Sequence, residues 1–347
     1  MKKMLGAGAA FAVVALACAG AFGAANKNSA ADTSLPLWAW GYVTPPPASP
    51  LSAAPAAAPT PALDNTTKHT LPGSKFSFTR AEAGQRYAPV DWYPEDHPAM
   101  PDIVAHGRES AQPNPIYPCG LCHMPNGKGR PENANVTGLT YEYIVQQLHD
   151  FRDGLRVTSD PRKTNTALMA GFAKSMTDED IKAAATYFAQ IPATKWITVK
   201  ESTTVPLTRQ AGGVFLPLEG DKAGSEPLGN RIIETPISVE DFELWRNPRS
   251  GFIAYVPAGS VKKGEALART GNGKVTACTV CHGADLRGLG PVPRLAGRSP
   301  SYLGRQLYDM QKGNRIGAWS PLMAPVVGHL TSDDILNVSA YLASLEP

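Results

Sequence analysis

The chain has few cysteines and no strong excess of charge, and both shortages limit what it can do. It has five cysteines in 347 residues. Cys18 lies in an apolar N-terminal stretch, and the other four form two short strings. No cysteine is therefore left for a structural disulfide or a free catalytic thiol. The formal net charge of +3 is too weak a basic balance to favour nucleic acid as a partner.

Long hydrophobic runs are also scarce, and the one that exists is at the N-terminus. Lys2 and Lys3 precede an apolar run of small residues over 5–25. This pattern is typical of a secretory signal peptide, residues 1–25, cleaved between Gly23 and Ala25. Two alternatives stay open: an uncleaved membrane anchor facing the periplasm, and a lipoprotein that uses the cysteine of this run. The sequence predicts a periplasmic protein.

The four remaining cysteines lie in two C-x-x-C-H strings, Cys119–His123 and Cys278–His282. This string is the attachment signature of c-type haem. Two thiols on one helical turn each add to a vinyl group of the haem, and the next residue supplies a ring nitrogen to the iron. A zinc site would need its ligands gathered together, whereas these pairs lie 159 residues apart. We therefore expect two covalent haems, held by Cys119, Cys122, Cys278 and Cys281, with His123 and His282 as axial iron ligands.

The two strings head a sequence repeat. At the same offset of 159, the segment 143–151 matches 302–310, and both carry an apolar stripe with helical spacing. Gly154 and Gly313 follow these segments at positions that suit a helix end. The repeat predicts two domains of the same fold, at 101–193 and 258–347.

Beyond these helices the offset becomes 154, because the first copy has a loop five residues longer. Final helices are predicted near 178–190 and 332–345, each capped by a threonine. Upstream of each, at equal distance, lies a methionine, Met169 or Met323, which we expect in a loop. A thioether is a soft, neutral ligand that raises the reduction potential of haem iron. These methionines are the predicted sixth ligands.

Three details of the repeat lead to further hypotheses. The carbonyl of Pro293 could fix the ring of the second histidine, and the first copy has Ala134 there, which would make the two haem potentials unequal. Arg156 and Arg315 lie either near haem propionates or at a solvated helix end. From Phe252 onward the Lys and Arg excess is larger than in 100–195, which could steer an acidic redox partner.

Half of the chain lies outside the repeat. Residues 26–100 are a Pro/Ala-rich linker and an irregular extension, of which 65–100 should wrap the first domain. The aromatic peptide 35–42 either docks on a partner or folds back. The insert 194–257 carries short β-like runs separated by Gly and Pro.

The strings, the Y-x-x-x-Q-L helix with its following G-x-R, the methionine and the T-x-x-D-I final helix resemble the tandem di-haem class I cytochromes of the cytochrome c4 type. The resemblance implies a mainly α fold with two tandem class I cytochrome c domains, related by a pseudo-two-fold axis. It also implies a periplasmic carrier. The N-terminal extension and the partly β insert depart from this pattern and are more typical of a permanently docked subunit.

The predicted function is single-electron transfer, as a carrier or as the haem subunit of a dehydrogenase or oxidase complex, with no catalytic residues. The expected partners are redox proteins: a dehydrogenase as donor, and an oxidase or another cytochrome as acceptor, also within a membrane-associated complex. The alternative is a di-haem enzyme, such as a peroxidase or a thiosulfate-oxidising cytochrome, which needs one iron with a vacant or special sixth position.

Overall fold

The structure is a computed structural model that describes residues 64–160, 163–211 and 213–347. The predicted signal peptide, the aromatic peptide and the linker 44–62 lie outside these residues. None of the helices within the described ranges has the length and apolar character that a membrane span needs.

The described chain is mainly helical, with short strands concentrated in the insert. The α-helices are α1 (Arg80–Ala83), α2 (Asp102–Ala105), α3 (Cys119–His123), α4 (Tyr141–Arg152), α5 (Thr164–Ser175), α6 (Asp178–Ala189), α7 (Ser260–Thr270), α8 (Cys278–His282), α9 (Pro300–Gln311), α10 (Ser320–Val327) and α11 (Ser332–Ser344). The strands are β1 (Lys68–His69), β2 (Phe78–Thr79), β3 (Ile197–Glu201), β4 (Thr204–Pro206), β5 (Thr208–Ala211), β6 (Val214–Pro217), β7 (Ser225–Pro227), β8 (Ile233–Pro236) and β9 (Phe252–Val256). The predicted fold class is confirmed.

Each repeat domain closes on a helix whose start the sequence specifies. Thr177 and Thr331 cap α6 and α11, and each threonine side chain accepts from the backbone N–H three residues on. Asp180 and Asp334 return the bond to the threonine backbone, which completes a capping box. The predicted final helices and their caps are confirmed, because this signal is local and needs no tertiary contact.

The insert is held together by a three-stranded sheet in the order β3–β9–β8. β9 pairs in parallel with β3 and antiparallel with β8. All three strands coincide with β-like runs of the sequence, so runs that are far apart in the chain pair with one another. Trp196, Phe242 and Phe252 pack together with Ala254 beneath this sheet.

The extension packs against the insert as well as against the first domain. Trp92 Nε1 donates to the backbone oxygen of Trp245 over 2.8 Å, and the two rings meet edge to face. On the other side, the ring of His97 lies 5.9 Å from that of Tyr187 on α6. The extension therefore joins the insert to the first domain.

The second domain depends on a close crossing of α7 and α11, where Gly264 lets the backbones meet. A Cβ at Gly264 would lie 2.0 Å from the backbone oxygen of Asn337. We expect Gly264→Ala to lower the free energy of unfolding by about 2–3 kcal/mol, because the helices must separate. Gly171, inside α5, is the matched control, since its Cβ would meet nothing closer than 3.7 Å. Gly171→Ala should stabilise by about 0.5–1 kcal/mol. Chemical denaturation measures both, and an equal effect of the two variants would contradict the crossing.

Candidate haem sites

A large apolar cavity in the first domain gathers the predicted haem residues. Its empty volume is about 1400 Å³. Helix α3 contributes Cys119, Cys122 and His123 to the wall, and α5 contributes Met169. Four residues that the sequence places up to 50 positions apart therefore border one space.

The second domain has a cavity of nearly the same size, about 1410 Å³, with the same set of residues. Cys278, Cys281 and His282 come from α8, and Met323 comes from α10. The sequence repeat thus produces two equivalent sites rather than one site shared between the domains.

Each histidine ring is held in place by a hydrogen bond from Nδ1 to a backbone carbonyl. His123 Nδ1 lies 2.7 Å from the backbone oxygen of Ala134, and His282 Nδ1 lies 2.8 Å from that of Pro293. A carbonyl only accepts, so Nδ1 carries the proton and Nε2 is left free for a metal. Burial lowers the pKa of both rings, which favours the neutral form that ligation needs. The contact does not distinguish the two sites, because any residue supplies this carbonyl, and so it gives no reason for unequal potentials.

The two methionines lie in helices, so the predicted loop position is wrong. Met169 is in the middle of α5, and Met323 is in α10, which continues through Pro325. The segment around Met169 is rich in Ala and Leu, which favour helix. Both side chains nevertheless line their cavities.

One cysteine thiol in each cavity wall is a poor thiolate. Burial raises the pKa of Cys119 to about 12 and that of Cys278 to about 11. A reactive redox dithiol needs the opposite shift. The environment of these two thiols therefore does not suit a redox dithiol.

Two arginines lock the domains together at a pseudo-two-fold axis. Arg156 follows α4 in the first domain. It donates to Tyr302 Oη over 3.1 Å and to Gln306 Oε1 over 2.9 Å in the second domain. Arg315 makes the mirrored bonds, to Tyr143 Oη over 2.7 Å and to Gln147 Oε1 over 2.8 Å. The set is defined here as the arginine latch: Tyr143, Gln147, Arg156, Tyr302, Gln306 and Arg315.

The same axis is marked by residues that contact their own repeat equivalents. Arg156 and Arg315 form an isolated antiparallel bridge, and Arg294 Nη2 donates to Asn135 Oδ1 over 3.0 Å. Equivalent residues can meet in this way only at the axis of an isologous interface. Arg156 is 8% exposed and Arg315 is 6% exposed, so the alternative of a solvated helix end is wrong.

The latch arginines have neutral hydrogen-bond partners, and Asp309 is the buried carboxylate whose charge acts on both of them. Within residues 64–160, 163–211 and 213–347, Arg156 and Arg315 donate to neutral amide and phenol groups, and neither forms a salt bridge. Burial raises the pKa of a tyrosine, but Arg156, Arg298 and Arg315 outweigh it and lower the pKa of Tyr302 to about 7. Buried guanidinium groups need an anion. Because latch residues line both cavities, the carboxylates of two haems fit this requirement.

The excess of Lys and Arg in the second domain is mostly internal. Residues 258–347 have ten Lys and Arg against six Asp and Glu. The four buried cations are Arg294, Arg298, Arg305 and Arg315. The other six cations are exposed, and the same surface has four exposed carboxylates and the half-buried Asp334. The surface is almost balanced, so the expectation of a basic face for an acidic partner is wrong.

Comparison with known proteins finds two cytochrome c domains in this chain. A family model described as cytochrome c matches residues 107–192 and 261–346. Cytochrome c4 of Stutzerimonas stutzeri is 32% identical over 149 residues, which cover 37% of this chain and 70% of that protein. Cytochrome c-554(548) of Halomonas halodenitrificans is 38% identical over 80 residues, 23% of this chain and 96% of that protein.

A third relative carries a functional name. A protein of Thiomonas intermedia named thiosulfate dehydrogenase electron acceptor is 25% identical over 241 residues, 68% of this chain and 82% of that protein. Two family matches, each with its own cavity, correspond to two haem groups. The chain therefore belongs to the cytochrome c family, as a di-haem electron-transfer protein of the cytochrome c4 type with two covalently attached c-type haems.

Proposed function

We propose that each cavity holds one six-coordinate haem and that the chain moves one electron at a time through each iron. The thioether bonds come from Cys119 and Cys122 in the first domain and from Cys278 and Cys281 in the second. The axial ligands are His123 with Met169, and His282 with Met323. The observation that carries this proposal is that each cavity wall contains a complete set of two thiols, one oriented imidazole and one thioether.

The residues around each iron serve to hold and to shield it. One-electron oxidation and reduction is the chemistry that haem supplies when bound. The Ala134 and Pro293 carbonyls hold the imidazoles, and Met169 and Met323 close the remaining positions. The latch arginines neutralise the propionates where the two domains meet. A substrate site would need one iron whose sixth position is not closed by a methionine. The two cavities have the same set of residue types, which favours a carrier over a di-haem enzyme.

We further propose that the protein acts in the periplasm, as the electron-accepting partner of a dehydrogenase, and passes electrons to an oxidase or another cytochrome. The Thiomonas intermedia relative, named as such an acceptor, supports a dehydrogenase as donor. The extension and the insert support a docked subunit rather than a small free shuttle, because they pack as an additional structured layer around the first domain.

A redox titration tests this function directly. The holoprotein should take up two electrons in two one-electron steps. Its reduced form should not bind carbon monoxide, because both sixth positions are closed by a thioether. The measurement is optical potentiometry, followed by addition of carbon monoxide to the reduced protein. Rapid binding at one haem would instead favour the di-haem enzyme.

A further inference from the structure

The haem-attachment loops of the two domains differ in what covers them. We define the attachment loop as residues 121–130 in the first domain and 280–289 in the second, which are equivalent at the offset of 159. In the second domain Val280 is 66% exposed and Leu289 is 62% exposed. Neither side chain lines the haem cavity. Both are therefore exposed on the outer surface of the domain.

The insert covers the first attachment loop. Arg246 donates to the backbone oxygen of Leu121, and Asn126 Nδ2 donates to that of Pro248 over 2.9 Å. The guanidinium of Arg130 lies 4.1 Å above the ring of Phe242. The loop thus packs against the π-helical turn Asp241–Trp245 of the insert and the residues that follow this turn.

Met124 shows that this cover is specific to the first domain. It adopts φ 63° and is 5% exposed, and it borders a small space shared with Phe242 and Phe252. Its equivalent in the second domain is Gly283, with φ 84°. A methionine at positive φ costs backbone energy that a glycine does not pay. In the first loop, the contacts that the Met124 side chain makes with the insert offset this backbone cost.

The second loop lacks the anchoring side chains of the first. Met124 is replaced by Gly283, Asn126 by Asp285 and Arg130 by Leu289. Cys281, beside Val280, is exposed, whereas its equivalent Cys122 is half-buried. The covalent attachment point of the second haem therefore opens to solvent next to an apolar surface.

The charge of this surface indicates the partner. Asp285 and Arg287 are both exposed and cancel within the loop. The surrounding domain surface is also nearly balanced, as described above. The first loop is covered by the ring of Phe242, the backbone carbonyl of Pro248 and the single guanidinium of Arg246, all from this same chain. An apolar and weakly charged protein face is the equivalent ligand for the second.

We propose that the insert closes the first attachment loop to partners, and that the second loop, with Val280 and Leu289 at its centre, is the docking face for a redox protein with a neutral, apolar surface. The inference rests on the proposed electron-transfer function. It assigns electron exchange with the partner protein to the second haem. The first haem then exchanges electrons with the second haem across the arginine latch.

A gold electrode coated with a methyl-terminated alkanethiol monolayer serves as the neutral, apolar probe. Carboxylate- and amine-terminated monolayers serve as charged probes. The holoprotein should exchange electrons fastest on the methyl surface. Val280→Lys and Leu289→Lys should each slow this exchange about tenfold, since a lysine ammonium in an apolar contact loses its hydration. Ile237→Lys is the matched control, because Ile237 lies on the insert and is also 62% exposed. It should leave the rate unchanged.

Several results would overturn the proposal. One is faster exchange on a charged monolayer, and another is an equal effect of Leu289→Lys and Ile237→Lys. A third is a change from dimer to monomer with Leu289→Lys in analytical ultracentrifugation, because the face would then bind a second copy. A solution redox titration of the same samples separates the two claims. Uptake of two electrons per chain with a negative electrode result rejects only the docking face, whereas uptake of fewer than two electrons per chain rejects the electron-transfer function as well.

Discussion

Met169→Ala should lower the midpoint potential of the first haem by on the order of 100 mV and leave the second haem unchanged. The reason is that a thioether favours reduced iron, and α5 offers no other sulfur at that position of the cavity wall. Met323→Ala should have the reciprocal effect. Each variant should also lose half of the near-infrared methionine–iron absorption. Potentiometry with that band as the readout measures both effects.

The first cavity supplies its own control for this experiment. Met176 lines the same cavity as Met169 and is buried in the core of the domain. Its repeat equivalent is Leu330, so we assign it to packing. Met176→Leu should leave the potential and the absorption band of both haems intact. If Met176→Leu removes half of the band and Met169→Ala leaves it intact, the ligand assignment for the first domain is wrong.

The repeat made the haem sites predictable. Each string fixes three residues on one helical turn, so Cys119, Cys122 and His123 must meet one cavity whatever the surrounding fold. The capping boxes at Thr177 and Thr331 were predictable for the same reason, since every atom involved lies within four residues. The methionines required the repeat itself, because a lone methionine is more often core filler.

What the sequence could not reveal depends on contacts between distant segments. Arg156 and Arg315 look like helix-end cations, and only the pairing of the two domains buries them. The excess of Lys and Arg in the second domain did not predict a basic surface for the same reason, because four of these arginines are buried. Met124 carried a weak signal, a bulky residue where the other copy has Gly283, but the meaning of that difference depends on the insert that packs over it.

The arginine latch gives the second large prediction. Arg315→Gln should lower the free energy of unfolding by about 3 kcal/mol, because it removes charge-assisted bonds to Tyr143 and Gln147 in the other domain. It should also split thermal unfolding of the holoprotein into two transitions, since those bonds couple the domains. Arg231→Gln is the control. Arg231 lies in the insert and bonds within it, so this variant should keep one transition.

We also expect the latch to influence the haem potentials, and its positive charge gives the sign of the effect. A positive group beside the haem stabilises the reduced form, so Arg156→Gln should lower the midpoint of the haem whose propionates it contacts. Arg156→Lys keeps the charge and loses the forked geometry. We therefore expect Arg156→Lys to weaken the coupling between the domains while it preserves the potential. If glutamine and lysine shift the potential equally, the latch does not neutralise the propionates and acts through structure alone.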